Sequence, residues 1–129
     1  MDLDLIKAAA GRLRGHSRET PLLNSPFLDV IAGRPIWVKA ECLQHTGSFK
    51  YRGAFAAISA LNEAQRRKGV LAFSSGNHAQ GVALAAKQHD TSALIIMPED
   101  APRIKINNTK ALGAEAVSYT HLRAHETSL

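Results

Sequence analysis

The sequence predicts an α/β fold, an open parallel sheet with flanking helices. Three observations carry this. Residues 70–73 and 93–97 are short, uninterrupted apolar runs of strand length. Between them, Ala79, Val82, Ala83 and Ala86 recur at the i, i+3, i+4, i+7 spacing of one helix face. Strand-like and helix-like stretches then alternate, as βαβ units do.

Each element has a local reason. Residues 3–14 read as a helix with Leu3, Ile6, Ala10 and Leu13 on one face. Thr20-Pro21-Leu22-Leu23 ends it, because proline lacks a backbone donor and restricts the residue before it. Residues 35–41 read as a strand, with the β-formers Ile36, Trp37 and Val38 bounded by Gly33 and Pro35. Gly47 opens a turn. A helix is expected from Ser48, its N-cap, to about Leu61, with Phe49, Ala56, Ala57, Ala60 and Leu61 facing a core. Gly69 closes a charged stretch, and 70–73 follows as a buried strand. Residues 77–88 form a helix, and 93–97 a second buried strand stopped by Pro98. Residues 102–112 form a third helix, with Pro102 tolerated in its first turn and Gly113 as C-cap. Residues 114–117 begin one more strand. Ligands of such sheets sit beyond the carboxyl ends of strands. The loops after 35–41 and after 70–73 are therefore the places to look.

Composition narrows the function classes. The chain has 129 residues, 45% of them apolar, enough for a packed core. Sixteen Lys and Arg against eleven Asp and Glu give +5, but the excess is scattered. Its densest cluster, Arg66-Arg67-Lys68, reads as a solvated helix end, and no basic stripe with aromatic support argues for nucleic acid. Cys42 stands alone, so neither an intrachain disulfide nor a cysteine-based zinc site is expected. His16, His45 and His89 show no ligand spacing, and no metal is assigned. The acidic start Met1-Asp2-Leu3-Asp4 does not resemble a signal peptide, and no apolar run approaches a membrane span. A soluble cytoplasmic protein is expected.

Two loops carry chemistry. Thr46-Gly47-Ser48-Phe49-Lys50-Tyr51-Arg52-Gly53 places a lysine at a helix start after a tight turn. A lysine that attacks a carbonyl must be unprotonated, and an aromatic neighbour such as Phe49 or a positive helix end favours the neutral amine. Ser74-Ser75-Gly76-Asn77-His78-Ala79-Gln80-Gly81 enters a helix whose first N–H groups lack partners and bind anions readily. There Ser74 and Ser75 add hydroxyls, and Gly76 lets a ligand approach the backbone closely. Taken alone, the loop reads more readily as an ordinary Ser/Asn helix cap, and His78 as a structural histidine. Together the two loops point to covalent carbonyl chemistry on an amino acid.

These two motifs resemble the pyridoxal-phosphate-dependent serine/threonine dehydratases of the fold-type II, tryptophan-synthase-β-like superfamily. Thr20-Pro21-Leu22, Met97-Pro98-Glu99-Asp100-Ala101-Pro102 and Lys110-Ala111-Leu112-Gly113-Ala114 match as well, so the resemblance covers roughly residues 18–117. It implies that Lys50 carries pyridoxal 5'-phosphate as a Schiff base and later acts as the base at Cα. Phe49 would lie against the pyridine ring and Asn77 would hydrogen-bond the ring hydroxyl. Ser74, Ser75, Gly76 and His78 would bind the substrate carboxylate. The implied reaction is α,β-elimination of water from L-serine or L-threonine, giving a 2-oxo acid and ammonia. The full-length protein would be a homo-oligomer.

The resemblance also sets the alternatives and the division of the chain. Ser75, where biosynthetic threonine dehydratases commonly carry Ala, resembles serine racemases and hydroxyaspartate dehydratases. There it would be a second acid/base on the opposite face of Cα, or else a spare carboxylate donor. Tyr51 and His78 depart from the β-replacement synthases. His45 stands where related racemases carry a lysine near a nucleotide site, so that site is not carried over. Gln88-His89-Asp90-Thr91 lacks the glycine common at that turn. Residues 1–45 would open the larger domain, and 46–117 would be a truncated smaller one. Residues 118–129, with two of the six histidines, resemble a terminal string recurring on unrelated gene predictions and are expected to be foreign. The phosphate-binding loop and the partner of the pyridine nitrogen would lie beyond Val117. A truncated α/β fragment without catalytic function is the reading from another class.

Overall fold

A computed structural model describes residues 2–119 of the chain. Helix α1 (Leu3–Leu13) starts where Asp2 accepts the Asp4 N–H at 3.1 Å. Strand β1 (Leu22–Asn24), helix α2 (Pro26–Ala32) and strand β2 (Trp37–Lys39) form a small unit. Pro26 opens α2, and Gly33 at φ +65° ends it. Two 3-10 turns (Glu41–Leu43, His45–Gly47) lead to α3 (Lys50–Ser59) and the short α4 (Glu63–Arg67). Strand β3 (Val70–Phe73), α5 (Asn77–Gln88), β4 (Ala93–Pro98), α6 (Arg103–Ala111) and β5 (Glu115–Tyr119) complete the α/β alternation.

The predicted parallel sheet is present, in the order β3-β4-β5, with Val70 opposite Ala93 and Leu94 opposite Glu115. Helix α5 has the expected bounds. The expected face, Ala79, Val82, Ala83 and Ala86, is buried against Tyr51, Phe55, Ile95 and Met97. Alanines on that face let α3 and the strands approach closely. Arg66-Arg67-Lys68 closes α4, where Arg67 pairs with Glu63 one turn away.

Several expectations need correction. The strand at 35–41 shrinks to Trp37–Lys39 and pairs antiparallel with β1, outside the parallel sheet. Periodicity identifies a strand but not its partner, and β1 and α2 were too short to show a pattern. Strands β3 and β4 are covered on one face only. Val70, Ala72, Ala93, Ile95 and Met97 pack inward, while Leu71, Phe73 and Leu94 are exposed because the described helices lie on one side. Helix α3 begins at Lys50. Its buried side is Tyr51, Ala54, Phe55, Ala56 and Ile58, whereas Phe49, Ala57 and Ala60 are exposed. On α1, Leu3, Ile6 and Ala10 are exposed and only Leu13 of the expected face reaches the core. Strand β5 runs to Tyr119, two residues into the stretch expected to be foreign. Residues 120–129 of that stretch lie outside the described residues.

The histidines without ligand spacing have a packing role. His16 and His89 lie 4.6 and 4.7 Å from the Phe55 ring, and His45 meets Tyr51 edge-on at 4.8 Å. At the turn lacking the customary glycine, Asp90 adopts φ +49°. Left-handed backbone is unfavourable for a residue with a Cβ, and Asp tolerates it only in part. Asp90→Gly should therefore stabilise the chain by ~0.5 kcal/mol, the relief of strain exceeding glycine's entropy cost. A raised urea midpoint at unchanged m-value checks this.

Candidate active site

The turn before α3 is strained and anchored. Gln44, 1% exposed, accepts the N–H groups of Arg18 and His45 and donates to the Arg18 carbonyl, all within 3.0 Å. The chain then passes through two left-handed residues, Thr46 (φ +61°) and Gly47 (φ +71°). For a β-branched residue such as Thr46 this is an outlier of the kind that concentrates at functional sites. The hydroxyls of Thr46 and Ser48 are buried without a hydrogen-bond partner. Ser48 thus does not cap α3. Phe49 flanks the helix without a side-chain cap, because the chain enters α3 already in helical geometry at Phe49.

Lys50 is exposed, and its Nζ lies 5.0 Å from the centroid of the Phe49 ring. The aromatic neighbour is in place, but the described residues do not dry the amine as expected. Two residues on, Arg52 Nε and Nη2 grip the Glu41 carboxylate at 2.7 and 2.8 Å. Arg52 also donates to Ser17 Oγ and the Arg18 carbonyl. The Arg52 hydrogen bonds hold the Glu41 carboxyl at about 2, against the opposing effect of burial, with Thr20 and Lys39 assisting. This network ties residues 17–20 to the start of α3.

The second loop leaves the carboxyl end of β3, where the Ser74 N–H bonds the Ile96 carbonyl at 3.0 Å. Ser74 Oγ accepts the N–H groups of Gly76 and Ala79 at 3.2 Å each. Its lone pairs therefore serve the helix start, while its O–H remains a donor. The Gln80 N–H reaches the Gly76 carbonyl, leaving those of Asn77 and His78 for an anion. Ser75 and Asn77 are exposed. His78 is half-buried and lines an apolar groove of about 240 Å³ with Gly53, Ala54, Ile58 and Val82. A hollow of about 360 Å³ lined by Gly69, Ser92 and Glu115 lies at the opposite end of the strands. Among the described residues no three His, Cys, Asp or Glu side chains cluster to hold a metal ion.

What joins the two loops is a glycine. A Cβ on Gly81 would stand 3.1 Å from Lys50 C and Tyr51 N and 3.2 Å from Lys50 O. Gly81 lies one turn along α5 from Asn77, so the Lys50 backbone is ~6 Å from Asn77 measured along that helix axis. Three further residues, Glu41, Gln44 and Lys105, and the tie of Arg52 to Glu41 are not legible in the sequence. Gly81 stood in the motif and gave a usable signal, since a glycine inside a helix ordinarily marks close packing. The others act across 11 to 28 residues and gave none.

The described residues thus bring together an accessible lysine at a helix start, an aromatic ring beside it, and an asparagine at the start of a second helix, on an α/β scaffold. The chain belongs to the pyridoxal-phosphate dependent enzyme family, which matches residues 13–128. It is 52% identical over 119 residues to an L-threo-3-hydroxyaspartate ammonia-lyase of a Pseudomonas species, covering 92% of this chain and 37% of that protein. It is 47% identical over 115 residues to the L-threonine ammonia-lyase of Thermotoga maritima, covering 89% and 29%. The crystal structure of serine racemase from Dictyostelium discoideum matches with a TM-score of 0.89 at 38% identity, covering 94% of this chain and 39% of the other. The chain thus spans about a third of these relatives' length.

Pyridoxal phosphate is the cofactor of this family, and the residues present fit it. The Lys50 amine is open to a carbonyl carbon, Phe49 offers an apolar face, and Asn77 has unengaged amide N–H groups. The buried, unpartnered hydroxyls of Thr46 and Ser48 sit in the turn that carries the lysine. Lys50, Phe49 and Asn77 are the residues that would hold the group.

Proposed function

We propose that the protein carrying this chain eliminates water from a β-hydroxy amino acid, L-threonine or L-serine, to yield a 2-oxo acid and ammonia. The observation that carries this is the contact of Gly81 with the Lys50 backbone, which sets a carbonyl-reactive amine beside an anion-binding helix end. When bound, the cofactor supplies an electron sink for negative charge at the substrate Cα. The N–H groups of Asn77 and His78 orient the substrate carboxylate, helped by the hydroxyls of Ser74 and Ser75. The Lys50 amine would take the proton from Cα. The β-hydroxyl leaves as water, taking up the proton that Lys50 removed from Cα, and the released enamine hydrolyses to the 2-oxo acid and ammonia.

A second reading has its own support. Ser75 is exposed on the loop that enters α5, and the Pseudomonas relative is an L-threo-3-hydroxyaspartate ammonia-lyase. On that reading 3-hydroxyaspartate is the substrate, or Ser75 returns a proton to the other face of Cα and the protein racemises serine. On either reading the partner is a small amino acid and not a nucleic acid or membrane, and the protein works in the cytoplasm as a homo-oligomer. The exposed apolar side chains Leu71 on the sheet and Phe27, Val30 and Ile31 on α2 are surfaces that the rest of a longer protein would cover.

Borohydride reduction of the full-length protein with pyridoxal phosphate tests the site. The adduct should map to Lys50 and be lost in Lys50→Ala. A folded full-length protein with Lys50 unlabelled would overturn the proposal. Release of 2-oxo acid from L-threonine, L-serine and 3-hydroxyaspartate then separates the substrate readings, and Ser75→Ala should abolish racemisation alone if Ser75 is the second acid/base.

A further inference from the structure

We infer that Lys105 of α6 is a positioning residue for Asn77, and through it for the cofactor site. This rests on the reading of Lys50 and Asn77 given above. Lys105 Nζ lies 2.7 Å from the Asn77 side-chain amide. A protonated lysine has three donors and no acceptor, so the atom facing it is Oδ1. That contact assigns the amide orientation, which the shape of the side chain alone would leave open. With its oxygen engaged, Asn77 presents only its two N–H donors to whatever binds beside Lys50. An amide free to flip would offer donor and acceptor alike.

The lysine is itself held. Its N–H donates to the Pro102 carbonyl at 2.8 Å, and its carbonyl accepts from Thr109 Oγ1 at 2.8 Å. Thr109 is fully buried. Asn108 Nδ2 donates to Gln80 Oε1 at 3.3 Å, a second tie between α6 and α5 one turn below Asn77. The aliphatic stem of Lys105 crosses the loop at Gly76, where an added Cβ would come within 4.0 Å of Lys105 Cγ and Cδ. Lys105 therefore reaches Asn77 by lying over the glycine and closes one side of the loop. An exposed hydrogen bond of this kind contributes little to folding. Its effect is directional. The ammonium and the two amide N–H groups together favour an acceptor oxygen carrying negative charge, such as an ionised ring hydroxyl of pyridoxal phosphate.

Full-length wild type, Lys105→Met, Lys105→Arg, Asn77→Ala and the double variant Asn77→Ala/Lys105→Met are titrated with pyridoxal phosphate. The dissociation constant and the pH dependence of the bound cofactor's visible absorption are read, with urea midpoints as the folding control. Lys105→Met should weaken cofactor binding about ten-fold and displace the absorption–pH profile at an unchanged urea midpoint. Lys105→Arg should restore most of both, and in the double variant Lys105→Met should add nothing to Asn77→Ala. Wild-type binding and absorption in Lys105→Met, or independent additive losses in the double variant, would overturn the inference while leaving the site reading intact. A wild-type protein with no borohydride-fixed adduct on Lys50 would overturn both.

Discussion

Gly81→Ala should push the two halves of the site apart. The added methyl would meet Lys50 C and Tyr51 N at 3.1 Å and Lys50 O at 3.2 Å. These are backbone atoms at the start of α3, and they cannot swing aside as the end of a side chain would. Overpacking of this kind costs ~1–3 kcal/mol, while replacing a helix glycine by alanine returns ~0.5–1 kcal/mol. A net loss of ~1–2 kcal/mol is expected, and in the full-length protein the shifted lysine should take up pyridoxal phosphate poorly. Gly53→Ala is the internal control. Gly53 is also inside a helix, but nothing lies within 4 Å of its added Cβ. That substitution should stabilise by ~0.5–1 kcal/mol, so opposite shifts in the urea midpoint are the expected pattern. Equal shifts would mean that the close approach of α5 to Lys50 carries no steric constraint.

The second large effect is acid sensitivity centred on Glu41. Its folded pKa is lowered from 4.5 to about 2, chiefly by the Arg52 hydrogen bonds. A depressed carboxyl contributes stability that is fully present above the unfolded value. It is lost as pH falls from about 4.5 toward 2, because the unfolded chain takes up the proton first. The shift sets a ceiling of ~3 kcal/mol, and partial solvent exposure of the pair brings the expected value to ~1–2 kcal/mol. Glu41→Gln should lower stability by that amount at pH 7 and flatten the pH dependence across this window. Glu41→Ala should lose more, ~2–3 kcal/mol, since Arg52 is left partly buried without its partner. Urea midpoints at pH 7 and pH 3 measure both. The consequence reaches the site, because the Glu41–Arg52 pair with Ser17, Thr20 and the Arg18 carbonyl fastens the N-terminal segment to the helix that begins at Lys50.

The sequence by itself determined what depends on neighbours within a few residues. A period of 3.6 with a buried face located α5, and short apolar runs located β3 and β4. The residue types in Thr46–Lys50 and Ser74–His78 located an amine at one helix start and a Ser/Asn-rich loop at another. Local periodicity decides these because helix and strand bury side chains at fixed intervals. It could not show that residues 37–39 pair with 22–24 instead of joining the parallel sheet, since the partner strand has three residues and no period. Nor could it orient α3, because that face is chosen by the one place where α5 lacks a side chain. Only the tertiary structure decided that His78 lines an apolar groove, that Glu41 locks Arg52, and that Lys105 fixes the Asn77 amide. Each of these rests on groups brought together by packing across 11 to 28 residues, and chain propensity carries no information about an atom that far along the chain.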